Sequence, residues 1–189
     1  MTINAMGVMR AQCANHILAN ARLMAACYQL DEADYMAKRP CFFGSIHATL
    51  DHLVVIDRRY LDRMQGNPVP PSDGDPAEFP TRGSLAAGRV QIDQRLKDFV
   101  AGLTPADLDR EVLLHETEQW GREVNPIWLV LQHVFAHGTH HRGQVHDLLS
   151  QTEIDPPQLD EFYLRMDREG RKAEVERSGL TGWMIDGKG

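Results

Sequence analysis

The sequence predicts an all-α fold, a four-helix bundle carrying extra short helices and a long proline-rich loop. Three observations predict it. Four long stretches place apolar side chains three and four residues apart, the helical period. Clusters of Pro, Gly, Asn and Asp separate these stretches. Only one short region carries a strand-like signal. Four long helices with little sheet bury their apolar stripes against one another, which is a bundle.

The elements follow in order. From about Gly7 to Leu30, Val8, Cys13, Ile17, Leu18, Leu23, Met24, Cys27 and Tyr28 set the period of a first helix, with good helix formers between them. His16 lies among them and reads as a surface or packing histidine rather than a ligand. Leu30 to Asp34 reads as a turn opening a short helical piece that ends before Pro40. Ser45 is an N-cap for the second helix, which runs to about Met64 and stops before Gly66-Asn67-Pro68. Asn67 to Arg82, with Pro68, Pro70, Pro71, Pro76 and Pro80, is a long exposed loop. Loops of this length often serve as lids or connectors.

Ser84 to Ala101 is a third helix, on Leu85, Val90, Ile92, Leu96, Phe99 and Val100. Leu103 to Leu108 makes a capped turn or one short helical turn. Arg110 to Val124 is short and glycine-punctuated, a small hairpin or an extended excursion. Asn125-Pro126 starts the fourth helix, which runs to about Gln151 on Ile127, Val130, Leu131, Val134, Val145, Leu148 and Leu149. Asp155-Pro156-Pro157 breaks the chain. Leu159 to Arg177 begins apolar, with Phe162, Tyr163, Leu164 and Met166. Its charged run from Asp167 mixes signs and reads as a solvated helix or turn. The tail, Ser178 to Asp186, has apolar residues without a period and is expected to pack on the domain or on a second subunit. Residues 1–189 read as a single domain, with a core of about 8–165 and a C-terminal extension of about 166–189.

Composition narrows the function classes. Apolar content of 42% and charged content of 25% are those of an ordinary globular protein. A net charge of −7 argues against nucleic acid or an anionic membrane surface as partner. No run approaches eighteen apolar residues, so no membrane span is expected. Met1 to Ala5 lacks the pattern of a secretory signal. Cys13, Cys27 and Cys41 are odd in number and show no Cys-x-x-Cys spacing, so they read as reduced thiols of a cytoplasmic protein. Cys13 and Cys27 fall on nearly one helix face, as buried small hydrophobes do.

Five of the nine histidines lie between His133 and His146. At about 100° per residue, His137 and His141 fall beside Val130, Val134 and Leu148, near the middle of the apolar face. Residues four apart on a helix are neighbours, with Cβ atoms about 5–6 Å apart. Two such imidazoles can share one metal ion, with bonds of about 2.0–2.1 Å if it is zinc. His133 and His137 have the same spacing, so spacing alone does not choose the pair. On the second helix, His52 shares a face with Thr49, Ile56 and, slightly off centre, Leu53 and Tyr60, whereas His47 points about 140° away. A polar ring on an apolar face needs a partner. His52 is therefore the better candidate for a third ligand, against the plainer reading of a satisfied core histidine. Three imidazoles would leave a coordination position open. Gly138 and Gly143, each costing a helix about 0.5–1 kcal/mol against Ala, point to close packing or close approach of a ligand, packing being preferred. His115-Glu116 lacks a following His at the spacing of a zinc-protease motif.

Three stretches resemble the DinB/YfiT-like superfamily of metal-binding four-helix proteins, over most of residues 10–165. Asn15-His16-Ile17-Leu18-Ala19-Asn20-Ala21-Arg22-Leu23-Met24 is similar to that family's opening helix, with Ile17-Leu18 in place of the usual aromatic region. The stretch from Ser45 to Arg58 carries His52 where the family has its first metal ligand. His137-Gly138-Thr139-His140-His141-Arg142-Gly143-Gln144 matches the element N-H-x-x-x-H-R-G-Q, with Ala136 at the frequent Asn. Asp155-Pro156-Pro157-Gln158-Leu159-Asp160 is similar to the segment that follows it.

The resemblance implies His52, His137 and His141 as ligands of a divalent metal such as zinc or nickel. Iron or copper also suits three nitrogens. It makes His133, His140 and His146 flanking residues that help orient the ligand rings. Some relatives are S-transferases that use bacillithiol or mycothiol, and others are thiol-dependent isomerases. The implied partners are therefore a small-molecule substrate, a low-molecular-weight thiol and a second copy of the chain. A hydrolase using metal-activated water is the near alternative. A non-catalytic metal-binding or stress-response protein with the same three ligands is the other. No residue stands out as a general base, and Arg142 and Gln144 receive no role. A ferritin-like di-metal site is disfavoured, because the second and fourth helices carry no Glu-x-x-His pair.

Overall fold

A computed structural model of the chain describes residues 4–69, 78–119, 121–160 and 167–183. It is mostly helical. Helices α1 (Ala5–Cys27), α2 (Glu32–Met36), α3 (Ile46–Gln65) and α4 (Arg82–Gly102) are followed by a single 3-10 turn, Pro105–Asp109. Strands β1 (Glu111–Thr117) and β2 (Gly121–Pro126) come next, then α5 (Ile127–Leu149) and α6 (Arg168–Arg177). The two strands pair antiparallel, as the hairpin reading expected. Proline positions 70, 71 and 76, Trp120, the apolar residues expected between 161 and 166, and Met184 to Asp186 lie outside the described residues.

Local chemistry sets the boundaries. Asn4, Asp31, Ser45 and Thr81 each cap a helix by accepting a hydrogen bond from a first-turn N–H. Gly66 closes α3 in the left-handed conformation, φ 75°, which favours glycine. Arg63, from the last turn of α3, donates to the carbonyl of Leu114 at 2.6 Å and ties the hairpin to the helix. No helix among the described residues is long and apolar enough to cross a membrane.

The four long helices α1, α3, α4 and α5 pack side by side, α3 and α1 each lying against both α4 and α5. Their apolar residues form two clusters. One gathers Met9, Cys13, Leu18, Leu61, Met64, Leu96, Val100, Ile127, Leu131 and Val134. The other gathers Leu23, Cys27, Tyr35, Ile46, Leu50, Leu85, Val145 and Leu149. Between them every long helix contributes buried polar groups: His16 and Asn20, Asp57, Arg89 and Asp93, and Arg142. Cys13 and Cys27 are fully buried. Burial pushes the Cys27 thiol up to about 12 and the Cys13 thiol higher still.

Three expectations need correction. His47, read as pointing away from the core, is 3% exposed. The short helix α2 covers that side of α3, and the hydroxyl of Tyr35 lies 3.2 Å from His47 Nδ1. The charged run after Asp167 is a helix, but not a freely solvated one. Glu174 receives both Nε (2.9 Å) and Nη2 (2.6 Å) of Arg22, Arg171 is buried, and Leu180 just beyond sits in the core. Gly143, ascribed to packing, has open space where a side chain would go. Gly138 does answer to packing: an added Cβ would fall 2.5 Å from His16 Cε1, 2.7 Å from His16 Nδ1 and 2.8 Å from Arg142 Nη1.

Candidate metal centre

The polar layer between the apolar clusters holds a linked set of charges. The Asp57 carboxylate accepts from Arg89 at 2.6 Å and from His16 Nε2 at 3.0 Å. Arg89 also pairs with Asp93 at 2.7 Å, and Asn20 donates to Asp93 at 3.1 Å. Arg142 donates to Asn20 Oδ1 at 2.9 Å and lies 3.2 Å from His16 Nδ1. Burial, first of all, holds His16 below the ordinary histidine range, opposed by Asp57 and assisted by Arg142 and Arg89. A neutral ring fits the contacts: Nε2–H donates to Asp57, and bare Nδ1 accepts from Arg142. Burial opposes the charge of Asp57, yet His16 and Arg89 outweigh it and hold the carboxyl below the usual carboxylate range. Two guanidinium groups and two carboxylates then balance, as buried charges must.

On the α3–α5 side of this layer, His52, His137 and His141 converge. One nitrogen from each lies within 4.8 Å of the others, the grouping of potential metal ligands found among the described residues. The rings of His137 and His141 are 4.3 Å apart, as the one-turn spacing on α5 dictates, and His52 from α3 faces both. His52 Nε2 and His137 Nε2 are 3.3 Å apart. Two nitrogens bound at about 2.0–2.1 Å to one tetrahedral ion would be about 3.3–3.4 Å apart. The pair therefore already has the separation that a shared ion requires.

Protonation suits the same use. Burial lowers the affinity of all three rings for a proton, and His141 adds to the effect at His52 and His137, bringing His137 down to about 4. Near neutral pH each ring keeps a lone pair for a cation. The Gln144 side-chain carbonyl accepts from His141 Nδ1 at 2.8 Å, which leaves His141 Nε2 bare. Its amide in turn donates to His140 Nε2 at 3.2 Å. His141 is 7% exposed, while His52 and His137 are only half-buried, so one side of the cluster is reachable from solvent. Phe43 stacks on His52, with centroids 4.3 Å apart, and meets His141 edge-on at 5.4 Å. It forms an apolar wall beside the open side.

Of the other histidines, His115 lies on the hairpin, 3.3 Å from the Gly121 carbonyl oxygen. His133 is exposed and packs its ring on Tyr60 at 4.7 Å, and it does not join the group that His52, His137 and His141 form among the described residues. His140 flanks His141, whereas His146 lines a separate groove with Arg142, Asn15 and Gln158 on the far edge of α5. Sequence reasoning found the three central imidazoles and missed Gln144, Phe43 and the charged layer. One signal was present: Arg89 falls one turn after Leu85 and just before Ile92, on the stripe that the apolar period defines.

The sequence model of one protein family, described as DinB family, matches residues 6–174. Among proteins with curated annotation, none matches the chain significantly.

Proposed function

The chain belongs to the DinB family, and on that basis we propose a divalent-metal-binding protein in which His52, His137 and His141 hold zinc or nickel. We read it further as a metal-dependent enzyme of the thiol S-transferase or hydrolase type, built on the family's four-helix bundle and acting as a cytoplasmic homodimer. The observation that carries the reading is the convergence of three neutral imidazoles from two helices, half-open to solvent, within 4.8 Å of one another. No carboxylate stands in that group, which favours a single ion with an all-nitrogen donor set over a di-metal oxidase site.

Such an ion, when bound, supplies Lewis acidity, which lowers the pKa of a thiol or a water molecule and polarises a carbonyl. The rest is work for the chain's own residues. Gln144 keeps the proton of His141 on Nδ1. Phe43 offers an apolar face to a substrate approaching from the open side and restrains the His52 ring. The low proton affinity of His137 keeps that ring uncharged well below neutral pH.

The test is metal content by mass spectrometry on untagged protein, beside a His137→Ala variant. About one divalent ion per chain, lost in the variant, is expected. An ion-free wild type, even after reconstitution, refutes the metal reading. Turnover is tested separately, by transfer of a low-molecular-weight thiol to a small electrophile with loaded and metal-stripped protein. A loaded protein with no activity toward electrophiles or esters would leave a metal-binding protein and remove the enzyme.

A further inference from the structure

Asp57 is held close to the three imidazoles without a direct hydrogen bond to them. It stands on α3 one and a half turns beyond His52 and is 2% exposed. Its Oδ2 is engaged by His16 and Arg89. His16 in turn presses against α5 at Gly138, the residue next to His137. Contacts from α1 and α4 thus fix the carboxylate, one of them through a ring that meets α5 next to His137. The negative charge of Asp57 is felt at all three rings, where it opposes the effect of burial.

Buried atoms without a hydrogen-bond partner here include Asp57 Oδ1 and His137 Nδ1, besides Arg89 Nε on the α4 side of the same carboxylate. Asp57 Oδ1 and His137 Nδ1 are complementary. An ionised carboxylate oxygen only accepts. With a metal ion on Nε2, the neutral His137 ring would carry its proton on Nδ1, which must then donate. Each orphan would cost about 1–3 kcal/mol. One water satisfies both, accepting from Nδ1–H and donating to Oδ1.

We infer that Asp57 is a positioning residue for the metal centre: through one bridging water its carboxylate holds His137 Nδ1–H, fixing the tautomer and strengthening Nε2 as a ligand. The inference rests on the three-histidine reading above. It gives His137 an acceptor in the same way that Gln144 gives one to His141.

The test compares full-length wild type, Asp57→Asn and His16→Gln, each checked for folding by circular dichroism, in zinc competition against a chromophoric chelator. D57N is expected to bind zinc about 10–100-fold more weakly. H16Q removes a different partner from the same carboxylate and is expected to change affinity by less than about threefold. Nitrogen-15 NMR of the zinc-loaded wild type should show a slowly exchanging His137 Nδ1–H that shifts or disappears in D57N. If D57N does not fold, the wild-type spectrum decides, and a rapidly exchanging Nδ1–H overturns the inference. Wild-type-like affinity in D57N, or weaker affinity with an unchanged Nδ1–H, also overturns it and leaves the three-histidine site standing. A wild type that binds no zinc removes both.

Discussion

Replacing Gly138 with alanine would drive a methyl group into the buried charge layer. The new Cβ would stand 2.5 Å from His16 Cε1 and 2.8 Å from Arg142 Nη1, closer than carbon approaches either. Neither neighbour can move cheaply. His16 is 1% exposed and bound to Asp57, and Arg142 is 3% exposed and bound to Asn20. Helix propensity alone would favour alanine by about 1 kcal/mol. Against this stand overpacking, about 1–3 kcal/mol, and a strained hydrogen bond to a charged group, about 1.5–3 kcal/mol. The net is a destabilisation of about 2–4 kcal/mol, which for a chain of this size lowers Tm by roughly 5–15 °C. Gly143 is the internal control. It lies five residues on in the same helix, with a helical backbone and open space at the Cβ position. Gly143→Ala should therefore stabilise by about 0.5–1 kcal/mol and raise Tm by about 1–4 °C. Thermal melts of the metal-free proteins by circular dichroism read both. A G138A protein as stable as wild type, or a G143A protein as damaged as G138A, would refute the packing argument.

Three further outcomes are expected. Gln144→Leu should weaken zinc binding about 10–100-fold without unfolding the chain, because His141 loses the acceptor that fixes its tautomer; equal affinities by chelator competition would deny Gln144 that role. In a thiol-labelling assay the native protein should react quickly only at Cys41, since Cys13 and Cys27 are buried and burial pushes Cys27 up to about 12; labelling of all three at one rate would contradict the core. Stability of the metal-free protein should fall on acidification. His16, His52, His137 and His141 are held below the ordinary histidine value, so the unfolded chain takes up protons first, and stability is lost as pH falls below about 6.5. Asp57, held below the carboxylate range, adds a second loss below about pH 4, whereas Asp93, raised by burial, contributes a gain of opposite sign as pH falls toward about 4. Urea midpoints that stay flat between about pH 7.5 and 5.5 would contradict these assignments.

The long helices and the hairpin were legible because period and punctuation are local properties, written in side chains such as Ser45 and Gly66. Spacing on one helix made neighbours of His133, His137 and His141, and the wheel offered His52, but it took the resemblance to choose His52, His137 and His141 as one set. What escaped was set by other elements. His47 looked outward on its own helix, and only the placing of Tyr35 on α2 buries it. Asp57 reads as a solvated position, because a charge on a helix wheel reads as surface unless its counter-charge, here Arg89 on a neighbouring helix, is known. The same holds for Glu174, whose partner Arg22 is far off in the chain.

The polar layer has a further consequence. Apolar surfaces are nearly indifferent to axial sliding, since one leucine replaces another a turn away. A slip of one turn, about 5.4 Å, along any of the four long helices would strand a guanidinium or a carboxylate opposite hydrocarbon. His16, Asp57, Arg89 and Arg142 thus act as an index pin that fixes the heights of α1, α3, α4 and α5 relative to one another. That setting brings His52, on one helix, level with His137 and His141 on another, to the sub-ångström tolerance a shared ion demands.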